Sequence, residues 1–347
     1  FISGSEDICQ DSIPAFIKGS QPKGDSAFKY VWQIDTLGDV WQDVSVGYDN
    51  SYNNYLPGTL NVTTRFRRLV SPLSDTAEID TSGIVTKTVF NRLENNNIQS
   101  SDTICYDLVP LPLDQDGPAV TGGQAGVRDW HWQSRQSGSG WIDASELAQD
   151  GDAARIDYKP GNLKETTYFR RQVISYVCTH ISDPLTITVL PDITGNSITG
   201  DDYICQFTAP VDSLRGPEPG DGDGSYEYVW QGSGNKVDWD SIHTERNYFP
   251  GTMDTVTTWF RRVVYSGNDR ACISISDTIE ITVDPIIQQN TIAPNTDVCF
   301  EYPAPLIYPD EVIFGGNGIY NYTFQDSMRT GGWSEIQSGS DLSLIHI

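Results

Sequence analysis

The sequence predicts an all-β protein of tandem immunoglobulin-like antiparallel β-sandwich domains arranged as a rod. An Ile-Cys or Val-Cys pair recurs about every 95 residues, a period that favours whole domains over short solenoid units. Short runs in which aromatic and polar residues alternate are typical of half-buried strands. Turn-forming residues separate these runs, and no long amphipathic helical pattern occurs.

The cysteine spacing divides the chain into three modules and part of a fourth. The first cysteines are Cys9, Cys105, Cys205 and Cys299. The predicted domains are module 1 at 1–97, module 2 at 98–197, module 3 at 198–291 and partial module 4 at 292–341. Residues 342–347, LSLIHI, match a translated sequencing adaptor and are interpreted as an artefact. The chain opens in mid-pattern, so we expect a metagenomic fragment of a longer protein.

The connection between successive modules has a constant length. The first cysteine of each module lies sixteen positions after the closing valine of the module before it, although loops inside the modules vary. A slack tether would not need a fixed length, so we expect a structural joint and a stiff column of domains. The three intervals are Val89 to Cys105, Val189 to Cys205 and Val283 to Cys299.

Each complete module carries a Trp in its first clear strand and a second Trp nine residues later. A turn-rich bridge between them predicts a hairpin that brings both indoles to one core. The sequence Tyr-x-Pro-Gly follows. It predicts a turn, because Pro and Gly together favour a tight reversal of the chain. The Trp pairs are Trp32 and Trp41, Trp132 and Trp141, and Trp230 and Trp239.

The next strand carries Phe-Arg-Arg in each complete module. Neighbouring strand residues point to opposite faces, so one arginine of each pair must lie on the less solvated side. A carboxylate or a Trp face could accompany a buried guanidinium, and we expect an arginine of each pair to stack on a module Trp. The pairs are Arg67 and Arg68, Arg170 and Arg171, and Arg261 and Arg262.

Modules 2 and 3 each hold a second cysteine eleven residues before the closing valine. Equivalent pairs in an exported repeat are typical of disulfides. The predicted bonds are Cys105–Cys178 and Cys205–Cys272.

Module 1 departs from this pattern. Glu78 occupies the position of the second cysteine, so Cys9 is predicted to be a free thiol. Lys87 stands where the other modules have isoleucine, and a compensating pair between Glu78 and Lys87 is possible.

The net charge of −25 excludes nucleic acid and anionic membrane surfaces as partners. No apolar run approaches the roughly 20 residues of a membrane helix, so no direct membrane insertion is predicted. Asp221 and Asp223 are candidate Ca²⁺ ligands, but the twelfth position counted from Asp221 is Gly232, which does not fit an EF-hand loop. A solvated loop is the preferred interpretation, and no cofactor is predicted.

Nothing in the sequence matches an enzyme motif. His-Glu-x-x-His, Cys-x-x-Cys and P-loop patterns do not occur, and the four histidines lie in unrelated settings. We therefore predict that the chain is not an enzyme. Trp and Tyr could form sugar-stacking platforms, but their fixed spacing favours core packing, with Trp259 as an aromatic residue that could be exposed.

Together, Ile-Cys, Tyr-x-Trp-Gln, Trp, Tyr-x-Pro-Gly, Thr-Thr-x-Phe-Arg-Arg, the second Cys and Ile-Thr-Val resemble a known family. They are similar to the tandem Ig-like modules of very long surface proteins of gliding bacteria, exported by type IX secretion. The resemblance covers residues 1–341. It implies an extracellular or cell-surface location, a role in adhesion, gliding motility or surface filaments, and no catalytic residues.

The expected function is a noncatalytic stalk or spacer of a large bacterial adhesin-like protein. Two alternatives remain: a subunit of a surface filament, and a carbohydrate-binding module array. Expected partners are further copies of the chain, other surface proteins, or glycans.

Overall fold

The computed structural model describes residues 1–23, 27–36, 38–47, 50–99, 102–254, 258–293, 296–303, 305–327 and 331–339. The adaptor-like residues 342–347 lie outside this range. The chain divides into two compact units, Phe1–Leu190 and Pro191–Ile347, and each is treated by itself. No helix among the described residues is long and apolar enough to cross a membrane.

The all-β prediction is confirmed. The helical elements of the described residues are three short 3-10 turns, Asn50–Asn53, Ser145–Leu147 and Asn268–Arg270. The strands of module 1 are β1 Ile2–Ser3, β2 Glu6–Cys9, β3 Lys18–Gly19, β4 Phe28–Asp35, β5 Gln42–Gly47, β6 Thr64–Pro72, β7 Asp80–Thr81 and β8 Val85–Phe90. Those of module 2 are β9 Ile98–Gln99, β10 Asp102–Cys105, β11 Asp114–Gln115, β12 Asp129–Gln136, β13 Ile142–Asp143, β14 Thr167–Ser175, β15 Cys178–Ile181 and β16 Leu185–Leu190.

Modules 3 and 4 continue the pattern in the second unit. The strands of module 3 are β17 Asp202–Cys205, β18 Glu227–Ser233, β19 Asp240–His243, β20 Thr258–Ser266, β21 Cys272–Ile275 and β22 Ile279–Asp284. Those of module 4 are β23 Ile292–Ala293, β24 Tyr308–Pro309, β25 Tyr322–Asp326 and β26 Ser334–Gly339.

One six-stranded sheet dominates each complete module. In module 2 its order is β10-β16-β14-β12-β13, with β15 paired to the far end of β14. Modules 1 and 3 repeat this order as β2-β8-β6-β4-β5 and β17-β22-β20-β18-β19. The pairings are antiparallel except one: the first strand runs parallel to the last, so that Cys105 lies beside Leu190.

A second, reduced layer covers the inner face of this sheet. In module 2 it consists of the β9–β11 pair and isolated bridges such as Leu113 to Tyr158. Between the layers, Trp132 is fully buried and its ring lies 5.4 Å from that of Tyr158. The predicted sandwich is therefore present, and the Tyr of the Tyr-x-Pro-Gly turn packs on the strand Trp.

Module 4 has two separate strand pairs, β23–β24 and β25–β26. Trp333 is 72% exposed there, unlike its equivalents in the complete modules. Apolar side chains line an open cavity of about 430 Å³, including Ile287, Ile292, Tyr320, Tyr322, Phe324 and Trp333.

Candidate functional site: the joint between modules 1 and 2

A disulfide between Cys9 and Cys178 joins module 1 to module 2 across 169 residues. The predicted pairing of Cys105 with Cys178 is therefore wrong, and so is the prediction that Cys9 is free. Cys9 ends β2 in module 1, whereas Cys178 begins β15, after the turn that follows β14 in module 2.

The strand geometry explains why the bond forms between modules. Cys105 lies level with Leu190, beyond the start of β14, whereas Cys178 pairs with Ser175 at the end of β14. About ten strand residues, roughly 30 Å, therefore separate the two cysteines of one module. A disulfide requires Cα atoms within about 7 Å, and those of Cys9 and Cys178 are 5.1 Å apart.

The remaining cysteines also contradict the prediction. Cys205 is free and exposed, so the expected bond between Cys205 and Cys272 is wrong. Cys105 and Cys272 are both disulfide-bonded, and Cys299 is free and exposed.

The linker that follows β8 is folded into module 2. The carbonyl of Asn91 accepts a hydrogen bond from the amide of Gly123 at 2.7 Å. Glu94 and Thr121 exchange two backbone hydrogen bonds of 3.1 Å. Leu93 is only 3% exposed and packs with Val173 and Cys178. Residues 91–97 therefore form part of the following sandwich.

Glycine permits the close approach of the linker to its loop. Gly122 has a positive φ of 82°, and a Cβ atom there would lie 1.9 Å from the carbonyl oxygen of Arg92. Both the backbone conformation and the space exclude a larger residue.

Asn96 fixes the end of the linker to the second arginine of Phe-Arg-Arg. Its Oδ1 accepts a hydrogen bond from Nε of Arg171 at 2.9 Å, and its Nδ2 donates to the Arg171 carbonyl at 3.0 Å. Nη1 of Arg171 donates to the carbonyl of Ile156, and Nη2 to Gln115. Burial lowers the pKa of Arg171 to about 10, because these neutral partners replace water around the cation.

The second unit repeats this arrangement. Gly222 donates its amide to the carbonyl of Pro191 at 3.2 Å. Oδ1 of Asn196 accepts a hydrogen bond from Nε of Arg262 at 3.0 Å, and burial lowers the pKa of this arginine too. Asn96, Asn196 and Asn290 each precede the linker isoleucine by two residues, a recurrence in the sequence that could have identified this contact.

Aromatic and polar contacts surround the disulfide. The rings of Phe90 and Tyr176 meet edge to face at 5.5 Å. The hydroxyl of Tyr176 donates to Oδ2 of Asp7 at 2.9 Å, and this hydrogen bond raises the pKa of Tyr176. The joint therefore combines a covalent bond, a seated linker and direct contacts between the two modules.

The first arginine of each pair stacks on the second Trp, which confirms the predicted cation–π contact. In module 2 the Arg170 guanidinium lies 4.2 Å from the centroid of Trp141, and Nε of Arg170 donates to Gln133. The same contact measures 4.2 Å for Arg67 on Trp41 and 4.1 Å for Arg261 on Trp239.

The hairpin prediction placed these second tryptophans in the core, and this placement is wrong. Trp41, Trp141 and Trp239 are half-buried on the outer face of the sheet, whereas Trp32, Trp132 and Trp230 are fully buried. Strand alternation separates the two sets, because the Gln and the first Arg point outward while the first Trp and the second Arg point inward. The inward arginines are Arg68, Arg171 and Arg262.

Lys87 is fully buried and pairs with Glu6, not with Glu78 as considered from the sequence. Its Nζ lies 3.2 Å from Oε1 of Glu6 and donates to the carbonyl of Ala15 at 3.0 Å. Glu6 is its register partner in the parallel pairing of β2 with β8. This pair occupies the core position that Ile187 fills in module 2.

The two candidate calcium ligands form internal hydrogen bonds. Oδ2 of Asp221 accepts from Thr194 at 2.6 Å. Oδ1 of Asp223 accepts from Ser266 at 2.7 Å, and this bond holds the pKa of Asp223 below its usual value. The two carboxylates thus close a loop onto the linker and the strand. Trp259 is half-buried and donates its indole N–H to Glu280 at 2.9 Å.

These features define a class of protein: a tandem array of Ig-like sandwiches in which the described linkers fold into the domain that follows them. The chain belongs to the family described as domain of unknown function (DUF8696), which matches residues 94–191 and 194–285, together more than half of the chain. Both matches begin inside a linker.

The chain is similar to solved structures of tandem FN and Ig domains at low sequence identity. The chicken CNTN1 FN1–FN3 domains are 13% identical, with 81% of this chain and 97% of that chain covered and a TM-score of 0.31. The N-terminal four Ig domains of Dscam1 isoform 6.9 are 11% identical, with 99% and 90% covered and a TM-score of 0.22. Sidekick-1 Ig domains 1–4 are 9% identical, with 97% and 89% covered and a TM-score of 0.24. No curated protein sequence matches the chain.

Proposed function

We propose that the chain is a noncatalytic stalk or spacer region of a large extracellular, adhesin-like bacterial surface protein. The observation that carries this proposal is the joint at Cys9 and Cys178. A stalk has to keep its two ends at a fixed distance from each other, so each module must hold its neighbour in a fixed orientation. A disulfide, a seated linker and an aromatic contact together restrict rotation at this joint.

The oxidised cysteines support the location outside the cell. Disulfides persist in exported proteins and are rare in the reducing cytosol. Cys178 belongs to a buried apolar cluster with Leu93 and Val173, so its bond is built into the packing of the joint.

The contacts that the arginine and tryptophan side chains make within the modules support a noncatalytic role. The inward arginines are held by backbone carbonyls and asparagines, and the outward ones stack on tryptophan. Within the described ranges, no group of three His, Cys, Asp or Glu side chains is placed to hold a metal ion. Trp259 would need a free ring face for sugar stacking, but the Lys236 ammonium lies 4.7 Å from its ring centroid.

The resemblance to surface proteins of gliding bacteria supplies the finer proposal: export by type IX secretion and a place in adhesion or gliding motility. Protease treatment of intact cells of the source bacterium tests this location. Peptides of the chain should be released without lysis. Release only after lysis would contradict a surface location.

Distance measurement between spectroscopic probes tests the spacer role. Unnatural amino acids at the exposed positions Val40 in module 1 and Ile142 in module 2 allow labelling without new cysteines. The oxidised chain should give one narrow distance distribution, and Cys9→Ser should broaden it. A distribution that is already broad in the oxidised protein would remove the basis of the stalk proposal.

A further inference from the structure

An open groove of about 370 Å³ lies on module 1 beside the buried arginine. Its lining includes Phe1, Arg68, Val70, Glu78 and Asp80. No described residue fills it in this structure.

The equivalent positions of module 2 all contact the linker. Arg68 corresponds to Arg171 and Asp80 to His180, and both module 2 residues hydrogen-bond to Asn96. Val70 corresponds to Val173, which packs on Leu93.

Glu78 corresponds to Cys178, whose Sγ lies 3.5 Å from the carbonyl oxygen of Asn91. The groove of module 1 is therefore lined by the positions that, in module 2, contact the linker.

A buried donor points to what the groove accepts. Arg68 is 3% exposed, and within the described residues its Nε has no hydrogen-bond partner. Its other nitrogens are satisfied, because Nη1 donates to Asn53 at 2.9 Å and Nη2 to Ser20 at 2.8 Å. In modules 2 and 3 the same Nε meets the Oδ1 of a linker asparagine. An unpaired buried donor of a charged group is costly, so it favours an acceptor at this point.

The apolar part of the groove also lacks a contact that the other modules have. Val70 is 9% exposed, whereas Val173 and Val264 are fully buried at the equivalent positions. A linker side chain such as Leu93 covers this valine in module 2.

We propose that this groove binds an extended peptide segment that runs into Phe1 from its amino-terminal side. The segment carries asparagine directly before Phe1 and an apolar residue three positions earlier. Phe1 already occupies the place of Asn97: Ser20 donates to its carbonyl at 2.9 Å, as Asp116 does to Asn97 at 3.0 Å. Because Glu78 replaces the cysteine, the segment is held without a disulfide.

An N-terminal extension of the full chain tests the proposal. The extension copies residues 91–96, Asn-Arg-Leu-Glu-Asn-Asn, directly before Phe1. The matched control is Asn-Arg-Ser-Glu-Asn-Ala, which has the same length but lacks both anchoring side chains. We expect the native extension to raise the melting temperature of module 1 by about 3–8 °C over the control. It should also slow amide exchange at Arg68 and Val70 about tenfold.

Equal melting temperatures and equal exchange for the two extensions would overturn the proposal. Light scattering of the unextended chain identifies a different occupant. If that chain self-associates and the native extension abolishes the association, the groove binds a second copy, and the proposed occupant is wrong. The test does not depend on the cellular location of the protein.

Discussion

The side chain of Asn96 lies against Arg171, 75 residues later, and completes the hydrogen bonding of its guanidinium. Asn96 belongs to the linker and Arg171 to the central strand of the following module. The linker therefore supplies part of the polar core of module 2, which explains why its length does not vary.

Asn96→Ala should destabilise module 2 by roughly 2–3 kcal/mol, because it leaves a buried charged donor without an acceptor. Urea unfolding of the full chain measures this change. Asn97→Ala is the matched control, since its exposed side chain neighbours Asn96, and it should change stability by less than about 0.5 kcal/mol. Equal effects of the two substitutions would argue against the role of Asn96.

Cys9→Ser should lower the free energy of unfolding by roughly 2–5 kcal/mol, since the bond closes a long loop. Reduction of the wild type should cost at least as much, because it also breaks the bonds of Cys105 and Cys272. Cys205→Ser is the control, because this thiol is free and exposed. Peptide mapping without reductant should recover the linked Cys9 and Cys178 peptides; linkage of Cys178 to Cys105 would refute the assignment.

Arg170 and Trp141 should be energetically coupled. A double-mutant cycle with Arg170→Ala and Trp141→Ala should give a coupling free energy of about 0.5–1 kcal/mol, the range for a partly exposed cation–π contact. Pairing Trp141→Ala with Arg128→Ala supplies the control cycle, since Arg128 hydrogen-bonds elsewhere. Coupling of equal size in both cycles would exclude a specific contact.

Lys87→Ile should leave module 1 as stable as before, or stabilise it by roughly 1–3 kcal/mol. The substitution removes a buried cation and restores the residue type that modules 2 and 3 carry at this position. Glu6 stays partly exposed, so it is not left as a buried unpaired charge. Thermal unfolding measures the change, with Lys87→Ala expected to destabilise through a cavity. A large loss for Lys87→Ile would show that the ion pair is required.

Tyr158 should make module 2 less stable at alkaline pH. Burial raises its pKa above 10, so the unfolded state loses the phenolic proton first. Its contribution is complete below pH 10 and falls by about 1.4 kcal/mol per pH unit above it. Tyr158→Phe should cost about 1 kcal/mol at pH 8, through the lost bond to Ala144, and this deficit should vanish near pH 11. An unchanged deficit would contradict the pKa argument; Tyr106→Phe, on an exposed tyrosine, is the control.

Local periodicity was sufficient to predict the β-sandwich and the two faces of its central strand. The alternation of Tyr30, Trp32 and Gln33 defined which residues point inward, and the neighbouring arginines followed the same rule. The stacking of Arg170 on Trp141 followed from residue types on one outer face.

The partners across the joint could not be predicted in this way. The cysteines recur at the same positions in successive modules. This recurrence is compatible with a bond within one module, Cys105 to Cys178, and equally with a bond between neighbouring modules, Cys9 to Cys178. Choosing between them needs the positions of the two ends of the sheet. The prediction that the second tryptophan lies in the core was wrong for a related reason. The conformation of the turn before this residue determines on which face of the sheet its side chain lies.

The bond between Cys9 and Cys178 also determines how the protein responds to mechanical tension. A pulling force that enters through the first residues crosses directly into module 2 at Cys178, so residues 10–177 carry no load while the bond is oxidised. Reduction transfers the load to the parallel pairing of β2 with β8, where four residue pairs are sheared together. Rupture there would unfold module 1 and release up to about 290 Å of extended chain, from residue 10 to residue 90. The redox state thus selects between a short inextensible tether and a long shock-absorbing one.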